Sequence, residues 1–194
     1  PDHCNWCTCH DDLAFVAALL DTLEHTLCID RDRVYATGMS NGGMLVHRLG
    51  CAMPDRFAAI APVAGTLAEG FNCAPEHPIA LMHIHGNEDT YVRVDGKQSS
   101  DGYRYETIDK VVDKWASPSS QRCATATTSY PTSADGIKGM HCTQRADCAT
   151  GADVVSCGWQ GGHAWPGFGR DVIWEFFRKH SRRDYITSGL ITPR

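Results

Sequence analysis

The chain has 194 residues, of which 42% are hydrophobic and 21% are charged, a composition typical of one globular domain with a single sizeable core. The formal net charge is −5, and charges of both signs are scattered along the sequence, so we expect neither nucleic acid nor an anionic membrane surface as a partner. No apolar run is long enough for a membrane span, and the sequence therefore predicts no transmembrane segment.

The hydrophobic pattern alternates between helical and strand spacing along the chain. Leu13, Val16, Leu20 and Leu23 recur at helical spacing and indicate an amphipathic helix near the start. Short apolar runs separated by helical segments then predict an α/β fold with a mostly parallel sheet flanked by helices. In chain order we predict a helix over 11–27, a strand beginning at 33, a helix over 44–50, strands over 57–64 and 79–85, a helix over 105–115, a strand over 123–130, a hairpin of strands over 139–145 and 152–160, and a helix over 171–179.

The stretch 36–43, Ala-Thr-Gly-Met-Ser-Asn-Gly-Gly, lies between a predicted strand and a predicted helix. A G-x-S-x-G sequence in this setting is the nucleophile-elbow pattern, in which a sharp turn exposes a serine at the top of a sheet. We expect Gly38 and Gly42 to be required because backbone approaches backbone in such a turn. The pattern predicts Ser40 as a nucleophile, and the simpler interpretation is a glycine-rich turn that contains a serine by chance.

A catalytic serine needs a base within hydrogen-bond reach, and the base needs an acid that orients it. Asp89 lies just past the predicted strand 79–85, at the end where catalytic groups gather in open α/β sheets. His163 lies in the glycine-rich loop 161–167, which also follows a predicted strand. Serine, aspartate and histidine follow one another in the order typical of the elbow pattern, so we predict Asp89 as the acid and His163 as the base.

The sequence contains other candidates for both roles. Position just past the end of a strand favours Asp89 over the neighbouring Glu88. Histidines that alternate on an apolar strand are more typical of a satisfied core than of a catalyst. The alternatives that remain are Glu88, Asp95 and Asp101 for the acid and His83, His85 and His141 for the base.

Three motifs together resemble a known family. They are Tyr-Ala-Thr-Gly-Met-Ser-Asn-Gly-Gly-Met from position 35, followed by Ala-Ala-Ile-Ala-Pro-Val-Ala-Gly up to 65; His-Ile-His-Gly-Asn-Glu-Asp at 83–89; and Gly-Gly-His-Ala-Trp-Pro-Gly at 161–167. This combination resembles the secreted esterases that include feruloyl esterases and polyhydroxybutyrate depolymerases, the carbohydrate esterase family 1 type of α/β hydrolase. The resemblance extends over about residues 11–179.

The resemblance implies an α/β-hydrolase fold and ester hydrolysis through an acyl-enzyme, with no metal and no organic cofactor. It implies Ser40 as nucleophile, Asp89 as acid and His163 as base, the same residues that the elbow pattern indicates. The expected substrates are feruloyl esters of plant cell-wall polysaccharide, and the alternative is poly(3-hydroxybutyrate) or another short-chain polyester. A serine peptidase and a non-catalytic polymer-binding relative are the remaining interpretations.

One part of the family pattern is missing from this sequence. Relatives of this type carry several strands and a His-Gly loop ahead of the helix that is predicted here from residue 11. That loop donates the second oxyanion N–H, so we expect only the backbone N–H of Asn41 from this chain. We therefore expect residues 1–194 to be a single catalytic domain that is incomplete at its N-terminus, with the missing segment as a partner.

The residues next to the predicted triad are expected to line a surface cleft that binds the ester. Trp165 follows the predicted base closely, and its ring either stacks on a phenolic acyl group or packs the loop. The expected lining residues are Met39, Asn41, Thr90, Val92 and Trp165.

Ten cysteines are a large excess for this length, and their even number favours disulfides and secretion. The alternative is zinc at Cys4-x-x-Cys7-x-Cys9-His10, but no second C-x-x-C cluster is present, so no metal site is predicted. Cys4, Cys7, Cys9 and Cys28 are expected near one another, and some of them could bond to the missing segment. The predicted pairs are Cys51 with Cys73, Cys123 with Cys148, and Cys142 with Cys157.

Overall fold

The computed structural model describes residues 10–98, 102–117, 122–149, 151–187 and 189. Helices and short strands alternate along these residues, as the hydrophobic pattern predicts. The helices are α1 (Asp12–Thr26), α2 (Asn41–Ala52), α3 (Ile108–Ala116), α4 (Gly169–Phe177) and α5 (Arg182–Thr187). The strands are β1 (Tyr35–Met39), β2 (Ala59–Val63), β3 (Ala80–Gly86), β4 (Thr127–Ser129), β5 (His141–Arg145) and β6 (Val154–Trp159).

The six strands form one sheet in the order β1-β2-β3-β6-β5-β4. Strands β1, β2, β3 and β6 pair in parallel, in that order. Strand β5 pairs with both β6 and β4 in antiparallel fashion. The prediction of a mostly parallel sheet flanked by helices is confirmed. Because β1, β2, β3 and β6 are parallel, their carboxyl ends meet at the same edge of the sheet, and the loops that follow them lie close together.

Both faces of the sheet are covered, so β2 and β3 are buried along their whole length. One face packs its Ala59, Met82 and Ile84 side chains against α4. The other face packs Ile60 and Leu81 against apolar residues of α2 and α3. Successive side chains of a strand point to opposite faces, so His83 and His85 share the face of Leu81.

All three predicted disulfides are present. Cys51–Cys73 links α2 to the loop before β3, Cys142–Cys157 joins β5 to β6, and Cys123–Cys148 closes the segment that contains β4 and β5. Cys28 is exposed and forms no disulfide with another described residue. Cys4, Cys7 and Cys9, the rest of the predicted N-terminal group, lie outside the described residues.

Two elements in the second half of the chain differ from the prediction. The strand predicted over 123–130 is reduced to Thr127–Ser129, whose three residues are all exposed at the antiparallel edge of the sheet. The short helix α5 was not predicted. The buried Tyr185 anchors this helix, because its hydroxyl donates to the carbonyl oxygen of Ala58, directly before β2, at 2.8 Å. None of the described helices is long and apolar enough to cross a membrane.

Candidate active site

Ser40 occupies a sharp turn between β1 and α2. Its backbone has φ 58° and ψ −121°, a conformation that is rare for a residue with a side chain. The turn is fixed on both sides, because the Ser40 N–H donates to the carbonyl of Val63 at 2.9 Å and the Ser40 carbonyl accepts from the Met44 N–H at 2.9 Å. This strained strand–turn–helix geometry is that of a nucleophile elbow.

The close approaches in this turn involve Gly38 and Gly43. A Cβ atom on Gly38 would lie 2.7 Å from the backbone of Gly42, and one on Gly43 would lie 2.8 Å from the carbonyl oxygen of Val63. The prediction that Gly42 is required was wrong, because a Cβ atom there would meet nothing within 4 Å. The G-x-S-x-G pattern includes Gly42, but a side chain at Gly42 would have room. It is a side chain at Gly38 that would clash with the backbone of Gly42.

The structure brings Ser40, His163 and Asp89 together at the carboxyl edge of the parallel strands. His163 Nε2 lies 2.8 Å from Ser40 Oγ, and His163 Nδ1 lies 2.8 Å from Asp89 Oδ2. Each residue follows a different parallel strand, namely β1, β3 and β6. Such an arrangement can draw a proton from the serine hydroxyl onto the imidazole while the carboxylate holds the ring.

The Asp89 side chain has no exposed surface, yet it is held as a carboxylate. Its Oδ1 accepts hydrogen bonds from the backbone N–H groups of Tyr91 and Val92, each at 2.9 Å, and its Oδ2 lies 3.2 Å from His85 Nε2 as well as close to His163. Burial by itself raises the pKa of Asp89. The hydrogen bonds from His85, His163 and the two backbone N–H groups outweigh burial and lower this pKa to about 2.

The chain is similar in sequence to several known proteins. Residues 8–91 match the sequence model of the prolyl oligopeptidase family. The chain is 27% identical over 183 residues to feruloyl esterase B of Piromyces equi, and 28% identical over 173 residues to a probable feruloyl esterase C of Aspergillus terreus. The two alignments cover 90% and 86% of this chain, and 32% and 57% of the relatives, so the chain spans about a third to somewhat over half of their length.

A solved structure decides the fold. The acetyl xylan esterase from Aspergillus awamori superposes with a TM-score of 0.57 at 16% identity, over 87% of this chain and 69% of that one. The chain has the α/β-hydrolase fold. The predicted fold class is therefore confirmed.

The alternative acids lie elsewhere in the structure or outside the described residues. Glu88 is exposed, and its backbone N–H donates to the carbonyl of Gly161 at 3.0 Å. Asp95 is paired with Arg93 at 2.9 Å, and Asp101 lies outside the described residues. Among the candidate acids in the described residues, Asp89 is the one that reaches His163.

The two histidines of β3 differ from the prediction. They are buried, as expected for a core, with exposures of 0% for His83 and 2% for His85. His85 is not merely a core residue, because it contacts Asp89. His83 is not fully satisfied, since its Nδ1 has no hydrogen-bond partner among the described residues. From the sequence, their spacing of two residues predicts that both lie on one face of the strand, but it does not predict the contact of His85 with Asp89.

The predicted lining residues separate into two groups. Asn41 and Thr90 are exposed, Met39 is half-buried, and Trp165 is 39% exposed. Val92 is only 5% exposed, and placing it in a substrate cleft was wrong because it supports Asp89 from inside through its backbone.

Sequence reasoning missed Tyr91, which is 63% exposed and whose ring centroid lies 5.4 Å from that of His163. The available signal was an aromatic residue two positions after the predicted acid.

Proposed function

We propose that this α/β hydrolase is a serine carboxylic-ester hydrolase that works through an acyl-enzyme. The observation that carries the proposal is the unbroken pair of 2.8 Å contacts from Ser40 to His163 and from His163 to Asp89. Serine, histidine and an ionised carboxylate in this order are the parts that acyl transfer requires. The esterases among its relatives support the choice of ester over other acyl substrates.

The proposed reaction begins when His163 Nε2 accepts the proton of Ser40 Oγ as the oxygen attacks the ester carbonyl carbon. The imidazolium that forms is stabilised by the Asp89 carboxylate, which stays ionised. His163 then gives its proton to the departing alcohol, leaving an acyl group on Ser40. Water, activated by His163, attacks this acyl group and frees the acid, which restores the hydroxyl of Ser40.

The backbone N–H of Asn41 is the proposed oxyanion donor of this chain. Asn41 is the first residue of α2, directly after the nucleophile, where N–H groups have no partner within the helix. The positive end of the helix dipole lies at the same point and favours a developing negative charge.

We further propose that the acyl group is feruloyl and that the ester is part of a plant cell-wall polysaccharide. Relatives named feruloyl esterases support this substrate. So do two exposed aromatic rings: that of Tyr91, which contacts His163, and that of Trp165, which follows His163 in the sequence. Short-chain polyesters such as poly(3-hydroxybutyrate) are the alternative. Three disulfides support action outside the cell. No step of the proposed reaction needs a metal or an organic cofactor.

The test compares hydrolysis of methyl ferulate with that of hydroxybutyrate oligomers and of a butyryl ester, using the full-length protein. We expect methyl ferulate to be cleaved with the highest kcat/KM, and Ser40→Ala to abolish both this activity and covalent labelling by a fluorophosphonate. Cleavage of the butyryl ester alone would leave a general esterase. Absence of labelling on the wild-type protein would favour a non-catalytic polymer-binding relative.

A serine peptidase is the second candidate, because residues 8–91 match the prolyl oligopeptidase family. The same three residues would serve peptide hydrolysis, so geometry alone does not separate the two chemistries. A chromogenic prolyl peptide assayed beside methyl ferulate distinguishes them. Preference for the peptide, lost in Ser40→Ala, would replace the esterase proposal.

A further inference from the structure

Three buried histidines lie behind Asp89 and take no part in the reaction proposed above. His47 is on α2, and His83 and His85 are on β3, on the face of the sheet that α2 and α3 cover. Their exposures are 0%, 0% and 2%. Buried polar side chains are costly unless their hydrogen bonds are made, so a row of three histidines in a core requires an explanation.

The contacts of these histidines form a chain that ends at the acid. Trp115 Nε1 lies 3.0 Å from His47 Nδ1, and the rings of His47 and His83 are adjacent, with centroids 5.5 Å apart. His83 Nε2 lies 3.1 Å from His85 Nδ1. His85 Nε2 lies 3.2 Å from Asp89 Oδ2 and 2.8 Å from a backbone carbonyl oxygen, that of Val92.

The protons along this chain can be assigned from its acid end. A carboxylate and a backbone carbonyl can only accept, so His85 Nε2 carries a proton, which it donates to the Val92 carbonyl at 2.8 Å while Asp89 Oδ2 lies 3.2 Å from the same nitrogen. In the neutral ring Nδ1 of His85 is then an acceptor, so His83 must donate from Nε2. His83 Nδ1 is therefore an acceptor, and it is one of the buried atoms without a described partner.

The other end of the chain gives a complementary result. An indole N–H can only donate, so His47 Nδ1 accepts from Trp115 and the proton of His47 is on Nε2. His47 Nε2 is also a buried atom without a described partner. The two adjacent rings thus present one unused donor and one unused acceptor, a combination that a single bridging water or a small ring shift would satisfy.

Burial supports neutral rings in the middle of the chain. Removal from water lowers the pKa of His47 to about 3, and it lowers that of His83 well below its ordinary value, with the neighbouring histidines adding to both effects. A neutral imidazole has one donor and one acceptor, so Trp115 donates to His47, His83 donates to His85, and the N–H of His85 faces the Val92 carbonyl and Asp89.

We propose that His85 is a positioning residue for Asp89, and that His83 holds His85 in the tautomer that this role requires. With His85 in place, Oδ1 of Asp89 is held by two backbone N–H groups and Oδ2 by two imidazoles. The carboxylate then keeps Oδ2 directed at His163. This inference rests on the proposed function, because it concerns the orientation of the proposed acid.

The test measures kcat and KM separately for substitutions along the chain. We expect His85→Leu to lower kcat about tenfold to a hundredfold with little change in KM, the scale on which outer-shell hydrogen-bond partners act in metal sites. His85→Gln keeps an N–H donor near the position of Nε2 and should recover most of this loss. His83→Leu should lower kcat by a smaller factor, and His83→Gln should recover it for the same reason.

Ile84→Val is the matched control, because Ile84 lies between the two histidines on β3 but faces the other core. It loses packing without touching the chain, so its kcat should equal that of the wild type. If His85→Leu has the kcat of this control while Ser40→Ala is inactive, the inference is wrong and the proposed function stands. If Ser40→Ala remains active, the proposed function itself fails.

A second measurement needs no substitution. The ¹⁵N chemical shifts of the wild-type imidazoles report which ring nitrogen is protonated. We expect His83 and His85 each to carry a single proton, on Nε2. A proton on Nδ1 of His85 at neutral pH would overturn the assignment. Because this measurement uses the wild-type protein, it does not depend on whether the leucine variants fold.

Discussion

The turn that carries Ser40 and the loop that carries Asp89 hold their residues by different means. At the turn the support is steric, because a Cβ atom on Gly38 would lie 2.7 Å from the backbone of Gly42. Around Asp89 the support is a set of hydrogen bonds to a buried carboxylate. Steric support does not depend on pH and tolerates no added atom. Support by hydrogen bonds depends on the charge of the acid and can be removed one donor at a time.

The largest expected effect comes from changing the acid itself. Asp89→Asn keeps the size of the side chain but replaces one acceptor oxygen with an N–H donor, which disfavours the His163 tautomer that can accept a proton from Ser40. We expect kcat to fall by about 10⁴-fold, as in other triads. Steady-state kinetics with methyl ferulate measure the loss, with Asp95→Asn as the control because Asp95 is exposed and paired with Arg93. A loss below tenfold would mean that the orientation of His163 does not depend on the acid.

The steric side of the comparison is tested by two glycines. Gly38→Ala adds an atom that strikes the backbone of Gly42, and we expect the free energy of unfolding to fall by about 1–3 kcal/mol. Gly42→Ala is the matched control. It meets nothing within 4 Å and lies in the first turn of α2, so we expect no loss and a gain of up to about 1 kcal/mol from helix propensity. Urea denaturation gives both values, and equal losses would contradict the steric account.

The hydrogen-bonded side of the comparison predicts a dependence of stability on pH. The pKa of Asp89 is lowered in the folded state from 3.8 to about 2. The resulting stabilisation is therefore fully present above pH 3.8 and is lost as the pH falls through about 2. It amounts to about 2 kcal/mol, at 1.36 kcal/mol for each pKa unit. Urea denaturation from pH 6 to pH 2 should show this loss in the wild type and not in Asp89→Asn, and parallel pH curves would refute it.

The same contrast explains what could be predicted from the sequence. The parallel sheet and the elbow at Ser40 follow from local signals, namely apolar runs and a glycine-flanked serine. The three disulfides match pairs predicted from where the cysteines lie in the predicted elements, because connectivity does not follow from cysteine spacing alone. The requirement for glycine was still assigned to Gly42 instead of Gly43, because the contact with Val63 joins two segments that are twenty residues apart. A motif identifies a turn, but only the packed backbone shows which of its glycines has no room for a side chain.

The support of Asp89 could not be predicted, for the same physical reason. The sequence indicates His85 as a core histidine because it alternates on an apolar strand, and it indicates Val92 as a cleft residue because Val92 closely follows the predicted acid. Their roles depend on how the loop after β3 folds back, which brings the Val92 N–H and the His85 ring onto the two oxygens of one carboxylate. Neither local hydrophobicity nor position in the sequence shows how the loop after β3 folds back onto Asp89.

The smallest expected effect concerns Tyr91, where the acid loop meets the proposed substrate. Its backbone N–H holds Asp89, while its side chain is 63% exposed beside His163, so a side-chain substitution separates the two roles. We expect Tyr91→Ala to raise KM for methyl ferulate about three- to tenfold, the value of one aromatic contact, and to leave KM for a butyryl ester nearly unchanged. Tyr91→Phe keeps the ring and should match the wild type on both esters. If Tyr91→Ala instead lowers kcat equally for both esters, the ring supports His163 and not the acyl group, and the acid loop serves catalysis alone.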